Sequence, residues 1–116
     1  MNSTPTIKQN SEFRRVYQHG KSTANRNLVL YYRKNQMKHT RVGITVSKKV
    51  GKSVVRNKVK RRIKESLREM TDLLPEGYDL VWIARVSCSE ADYRTLNKAV
   101  KHLLSKTFSN KANQKK

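Results

Sequence analysis

Between Val46 and Leu73 the chain concentrates residue types suited to one chemistry, the recognition of phosphate. Lys48, Lys49, Lys52, Arg56, Lys58, Lys60, Arg61, Lys64 and Arg68 supply fixed positive charge, with Asn57 set among them. Arginine offers a planar fork for bidentate contacts to phosphate or a base edge, whereas lysine acts as a point charge. Asparagine both donates and accepts, so it can hold a loop or read a base or a 2′-hydroxyl. No acidic residue occurs between Glu12 and Glu65, while positions 13–64 hold 17 Lys and Arg. The positive field therefore belongs to the middle of the chain and not only to a tail.

Other chemistries fit poorly. A protein nuclease needs clustered carboxylates for metal ions or a histidine-based acid/base pair. The acids here are sparse and mostly peripheral to the basic region, with Glu65 and Glu69 to one side of the basic helix, and His19, His39 and His102 fall in separate elements. No catalytic residue and no metal ligand is assigned. Gly51-Lys52-Ser53 looks like the end of a nucleotide-binding phosphate loop, but the glycine such a loop needs five positions earlier is Val46. Cys88 is the single cysteine, which excludes an intramolecular disulfide and a Cys-based metal framework.

Composition agrees with a polyanion partner. With 27 Lys plus Arg against 8 Asp plus Glu, the net charge is +19, and self-repulsion of that size weakens a compact state unless a polyanion neutralises it. At 116 residues the chain is one domain, able to bury a modest core. No apolar run approaches a membrane span, and Met1 to Gln9 lacks the apolar core of a signal peptide, so the chain reads as cytoplasmic. A structural RNA-binding protein of the ribosome would share this charge. A DNA-binding regulator fits less well, because no helix precedes the basic one to make a helix-turn-helix.

The elements that must position these residues follow from periodicity. Residues 1–10 are polar and read as a flexible N-terminus. Ser11 is suited to cap a short helix running to about Gln18, with Phe13, Val16 and Tyr17 on one face and Gly20 as its stop. Leu28 to Tyr32 reads as a strand, and Val42, Ile44 and Val46 alternate as in a half-buried strand. Their short connection predicts an antiparallel hairpin, and a further short strand fits Ser22 to Ala24. A helix is expected from about Val54 to Leu73, ended by Pro75 and Gly77. Tyr78 to Val86 is nearly continuous apolar sequence, as in an interior strand. Ser89 with Asp92 resembles a capping box for a last helix that buries Tyr93, Leu96, Val100, Leu103 and Leu104. Residues 11–108 thus form a single RNA-binding domain, and 109–116 read as a disordered basic tail.

At 100° per residue the central helix divides into two faces. Val55, Val59, Ile63, Leu67 and Met70 form a core stripe, and Asn57, Arg61, Lys64 and Arg68 form the opposite row, flanked by Lys58 and Lys60. An ordinary solvated face mixes signs, because like charges at i, i+4 are mildly destabilising. Lys52 and Arg56 also oppose the macrodipole at the helix start. Phosphate binding is the reading that accounts for both features.

The run from Arg41 to Glu65, with its Val-Ser-Lys-Lys and Arg56-Asn57 combination, closely resembles the protein subunit of bacterial ribonuclease P. The match extends to Phe13 with Gly20, to Ala24-Asn25-Arg26 and to Ile83-Ala84-Arg85. The resemblance implies an α/β fold, an α+β two-layer domain of order α-β-β-(β)-α-β-α with a four-stranded mixed sheet. It further implies a left-handed β-α-β crossover through the basic helix, against a rule that about 98% of such connections obey. By the same resemblance, the protein binds the catalytic RNA, one protein per RNA, and helps it remove the 5′ leader of precursor tRNA. It binds no cofactor itself, and the hydrolysis falls to the RNA and magnesium ions. Phe13, Tyr17, Arg26 and Tyr31 would line a cleft for the leader, where aromatic faces can stack on unpaired bases. For Phe13 a core role is the competing reading. The family's Arg-Asn-Arg motif falls on Arg56, Asn57 and Lys58, so the third position keeps the charge and loses the fork.

Overall fold

The computed structural model describes residues 5–114. In chain order it contains α1 (Asn10–His19), β1 (Lys21–Ala24), β2 (Leu28–Lys34), β3 (Arg41–Val46), α2 (Ser53–Glu69), β4 (Tyr78–Ala84) and α3 (Tyr93–Gln114). Single 3-10 turns follow α2 at Thr71–Leu73 and β4 at Val86–Glu90. The strands form one mixed sheet in the order β1-β2-β4-β3, antiparallel except for the β3/β4 pair.

The alternation of side chains along each strand builds a layer on either side of the sheet. On one face Leu28, Leu30, Val42, Leu80, Trp82 and Ala84 meet Val59, Ile63, Leu67 and Met70 of α2 and Leu96, Val100, Leu103 and Leu104 of α3. Burying each Leu- or Val-sized side chain stabilises by about 1.5–3 kcal/mol, so this layer is the main source of stability. On the other face α1 covers only part of the sheet, through a small cluster of Ile7, Val16 and Val81 with Phe13, Tyr31 and Ile83 beside it.

Several expectations are corrected. β2 and β3 do not form a hairpin: β4 lies between them, antiparallel to β2 and parallel to β3. The reason is coverage, since Leu80, Val81 and Trp82 are all fully buried and need a layer on both faces and a strand on both sides. The loop after β2 is tied to the start of β4, with Asn35 N–H donating to Gly77 O at 2.8 Å. The antiparallel hairpin of this fold is β1/β2. Residues 5–7 are paired and not loose: Ile7 N–H donates to Val42 O at 2.9 Å and Val42 N–H to Pro5 O at 2.9 Å. Ile7 is buried, an apolar anchor inside a polar stretch. Residues 1–4 lie outside the described residues.

Helix ends also shift. α1 starts at Asn10, with Gln9 N–H donating to Glu12 Oε1 at 3.4 Å, so Ser11 is inside the helix and does not cap it. α2 ends at Glu69, four residues short of the expected Leu73, because the chain tightens into a 3-10 turn. Asp92 alone caps α3, its Oδ1 accepting from Thr95 N–H at 2.8 Å, while Ser89 lies in the preceding turn. The helical backbone of α3 continues through Gln114, where a disordered tail from 109 was expected. Nothing between 109 and 114 is a glycine or proline that would stop it. Residues 115–116 lie outside the described residues.

Candidate nucleic-acid interface

α2 presents the two faces that its periodicity requires. Val59, Ile63 and Leu67 are buried, Met70 is buried just past the helix end, and Val55 is half-buried at the start. Asn57, Lys58, Lys60, Arg61, Lys64 and Arg68 are all exposed. In the preceding loop, Val50 N–H donates to Ser47 O at 3.0 Å and Gly51 N–H to Lys48 O at 3.2 Å. These turns pull Val50 into the core and leave Lys48, Lys49 and Lys52 exposed. Arg56 differs: it is half-buried and folds back so that Nε donates to Gly51 O at 3.1 Å. That bond orients the guanidinium and leaves its two terminal nitrogens for a ligand. Arg62, outside the predicted row, donates to Ala91 O at 2.7 Å and ties α2 to the turn before α3.

The row is electrostatically uncompensated. Among the described residues the ion pairs are two, and both are made by Arg41. Glu69 accepts a hydrogen bond from Asn97, on the side of α2 that meets α3. The cations of α2, with the exposed Glu65 to one side of the row, thus form an open and strongly basic surface, a form that attracts polyanions and releases their counterions on binding.

Three aromatic residues, Phe13, Tyr17 and Tyr31, gather on the opposite side of the sheet. Phe13 and Tyr17 of α1 have ring centroids 6.5 Å apart, and Tyr17 meets Tyr31 of β2 edge-on at 5.0 Å. Tyr17 is 38% exposed. Phe13 packs against β3 where Gly43 has no side chain; a Cβ there would come within 2.7 Å of the ring. Phe13 is half-buried against the Ile7, Val16 and Val81 cluster, so it is both a core residue and the inner wall of the aromatic surface. Arg26 is exposed in the β1–β2 turn. The sheet register pairs Leu28 with Ala84 and Ala84 with Val46, which puts Arg26 and the Lys48 loop at the same end of the sheet.

An ionic cluster absent from the sequence reading holds α1 in place. Arg41 Nη1 pairs with Glu12 Oε2 at 2.7 Å, while Nη2 and Nε contact Asp79 Oδ2 and Oδ1 at 2.7 and 2.9 Å. Asn35 Nδ2 adds a bond to Asp79 Oδ1 at 2.9 Å. Burial alone would push the Asp79 carboxyl up, but the hydrogen bonds from Arg41 and Asn35 outweigh it and hold the group below its ordinary value. The Arg41 hydrogen bond likewise lowers Glu12, and Asp79 raises Arg41 above the ordinary guanidinium value. One signal was present in the sequence: Asp79 is an acid at the head of an otherwise apolar strand, and a buried charge needs a partner. The identity of that partner was not legible.

Among the described residues no group of three or more His, Cys, Asp and Glu is placed to hold a metal ion, and no helix is long and apolar enough to cross a membrane. Comparison with known proteins gives a consistent result. The Ribonuclease P family profile matches residues 1–107. The ribonuclease P protein component of Clostridioides difficile is 49% identical over 107 residues, covering 91% of this chain and 94% of the relative. That of Caldanaerobacter subterraneus is 50% identical over 101 residues and 87% of each chain. Among solved structures, the Staphylococcus aureus RNase P protein superposes with a TM-score of 0.82 at 36% identity, over 89% of this chain and 94% of the other. The Thermotoga maritima protein gives 0.81 at 33%, over 87% and 96%. The four-stranded mixed sheet, the uncompensated basic helix and this breadth of similarity together show that the chain belongs to the bacterial ribonuclease P protein-component family, whose work is tRNA processing.

Proposed function

We propose that the protein binds the catalytic RNA of ribonuclease P through the Lys48–Lys52 loop and the exposed row of α2, and receives the 5′ leader of precursor tRNA over the aromatic face of the sheet. The observation that carries this reading is the division of labour between faces. A surface dominated by Lys and Arg on the helical layer suits a folded RNA backbone. The Phe13, Tyr17 and Tyr31 surface on the far side suits unpaired bases. Arg26 and the Lys48 loop stand at the end of that surface, where they would follow the phosphates of an extended strand.

Promotion of cleavage follows from differential binding. The leader is part of the precursor and absent from mature tRNA, so contacts made to it favour substrate over product. The reaction is the magnesium-dependent endonucleolytic removal of the leader to give the mature 5′ end. Magnesium ions bound to the holoenzyme would supply an activated water and offset charge on the phosphate. The resemblance to the ribonuclease P protein subunit assigns the ions to the RNA. This chain neutralises phosphates, orients the leader and contributes no proton transfer. One protein per RNA, acting in the cytoplasm, completes the reading.

The test is reconstitution. Protein added to the catalytic RNA at low magnesium should raise the rate of precursor cleavage, and protein alone should cleave nothing. An inactive mixture under conditions where the RNA alone works at high magnesium overturns the proposal. Selective binding to ribosomal RNA, with no effect on precursor tRNA, would support the ribosomal alternative.

A further inference from the structure

α3 carries a second basic stripe that the proposed function does not use. Arg94, Lys98 and Lys101 are exposed and lie within about 60° of one another on the side opposite the buried Leu96 and Leu103. None of the three makes an ion pair, since both pairs among the described residues belong to Arg41. After Asp92 the chain contains no acidic residue. Arg94 sits in the first turn of α3, where a cation opposes the macrodipole, with Asp92 at the helix cap as a nearby counter-charge. A face shaped only by solvation would mix signs at this i, i+4, i+7 spacing.

A hollow adjoins the stripe. It lies where the end of α2 meets the start of α3, and Glu69, Tyr93, Arg94, Asn97 and Lys98 line it. Its polar wall is loosely bonded. Asn97 Nδ2 has two hydrogens for three acceptors, Ser66 Oγ at 3.3 Å, Glu69 Oε1 at 3.3 Å and Tyr93 Oη at 3.2 Å. Each is at the long end of the range, so an incoming base could displace them at small loss. The hollow offers the half-buried Tyr93 ring for stacking, the Glu69 carboxylate to accept from base N–H groups, and two cations at the rim for the flanking phosphates.

We propose that this α2/α3 hollow seats one unpaired nucleotide of the catalytic RNA, with Arg94, Lys98 and Lys101 on its backbone. The inference rests on the proposed function. The catalytic RNA is the strand that fits, because the stripe shares the helical layer with the α2 row already assigned to that RNA. The leader, by contrast, is assigned to the opposite face of the sheet.

The test uses the full-length protein and the catalytic RNA. The triple variant Arg94→Gln, Lys98→Gln, Lys101→Gln keeps good helix formers and removes three charges. A matched control, Lys8→Gln, Lys34→Gln, Lys38→Gln, removes three exposed charges elsewhere. If the inference holds, the slope of log binding constant against log salt falls by about two to three units in the α3 variant, well beyond the control. Tyr93→Leu, with the charges intact, should weaken binding about tenfold with the slope unchanged, and Tyr93→Phe should not. Circular dichroism and melting temperature, unchanged from the parent, establish that each variant is folded. An α3 slope equal to that of the control overturns the inference, as does a loss confined to precursor tRNA affinity. Should Arg61→Ala/Arg68→Ala reduce the slope while the α3 variant does not, this inference falls and the proposed function stands. If neither changes it, both fall.

Discussion

Replacing Arg41 by Ala tests the view that one guanidinium positions the aromatic face. In the folded chain Arg41 bridges α1, β3 and β4, and Asp79 is 3% exposed. Without Arg41 the Asp79 carboxylate keeps the Asn35 hydrogen bond and loses its ion pair. Removing one partner of a buried pair costs about 3–5 kcal/mol, because the other charge stays buried and uncompensated. Set against a total stability of about 5–15 kcal/mol, that should lower the melting temperature by about 10–20 °C. The Glu12 side of the cluster is more exposed, so Glu12→Gln should cost about 0–1 kcal/mol. Thermal melts followed by circular dichroism at neutral pH would measure both.

Acid titration adds an independent readout of the same cluster. Glu12 and Asp79 are held below their ordinary values of 4.5 and 3.8. Groups whose folded pKa is depressed stabilise fully above the ordinary value and lose that contribution as pH falls through the folded one. Stability should therefore drop as pH falls below about 4.5, and the drop should shrink in Asp79→Asn. Arg41, raised further, stays charged throughout. An Arg41→Ala melt no lower than that of Glu12→Gln, or an acid transition unaltered in Asp79→Asn, would refute the clamp.

Four further outcomes follow from named contacts. Arg61→Ala with Arg68→Ala should weaken catalytic RNA binding and reduce its salt slope by about one unit per lost phosphate contact; an unchanged slope would place both residues in solvent. Gly43→Val should force Phe13 off β3, costing about 1–3 kcal/mol by overpacking, and a denaturant midpoint equal to the parent's would mean the ring has room to move. Tyr17→Leu should raise KM for a precursor carrying a single-stranded leader while binding to the catalytic RNA stays constant; equal effects on both would remove Tyr17 from the leader surface. Cys88, whose thiol burial pushes up to about 11, should resist alkylation at pH 8 until the protein unfolds. Rapid labelling of the native chain would contradict that burial.

The two-faced division of the basic helix was legible because its signal is local. The division of α2 into Val59, Ile63 and Leu67 against Asn57, Arg61, Lys64 and Arg68 follows from 3.6 residues per turn, and the structure keeps both stripes. The acid-free stretch from Phe13 to Lys64 announced a polyanion partner before any fold was known. Element types were readable for the same reason, as periodicity depends on neighbours along the chain. Pairing was not. β2 and β3 are close in sequence, but β4 separates them, because a strand apolar on both faces is most stable in the middle of a sheet. The burial of Ile7 within a polar stretch depends on Val42, 35 positions on, since 42 − 7 = 35.

The sequence by itself determined the strongly basic charge of this chain and which face of α2 is exposed, because charge and helical phase are properties of consecutive residues. Only the tertiary structure decided what holds that face and the aromatic one in place. Glu12, Arg41 and Asp79 lie in three separate elements, and ionic contact between them exists only after the sheet has assembled in its final order. Likewise Tyr17 of α1 and Tyr31 of β2 become neighbours only when α1 packs on the sheet, where Phe13 meets the bare backbone of Gly43. Such contacts depend on distances through space, which composition and spacing do not encode.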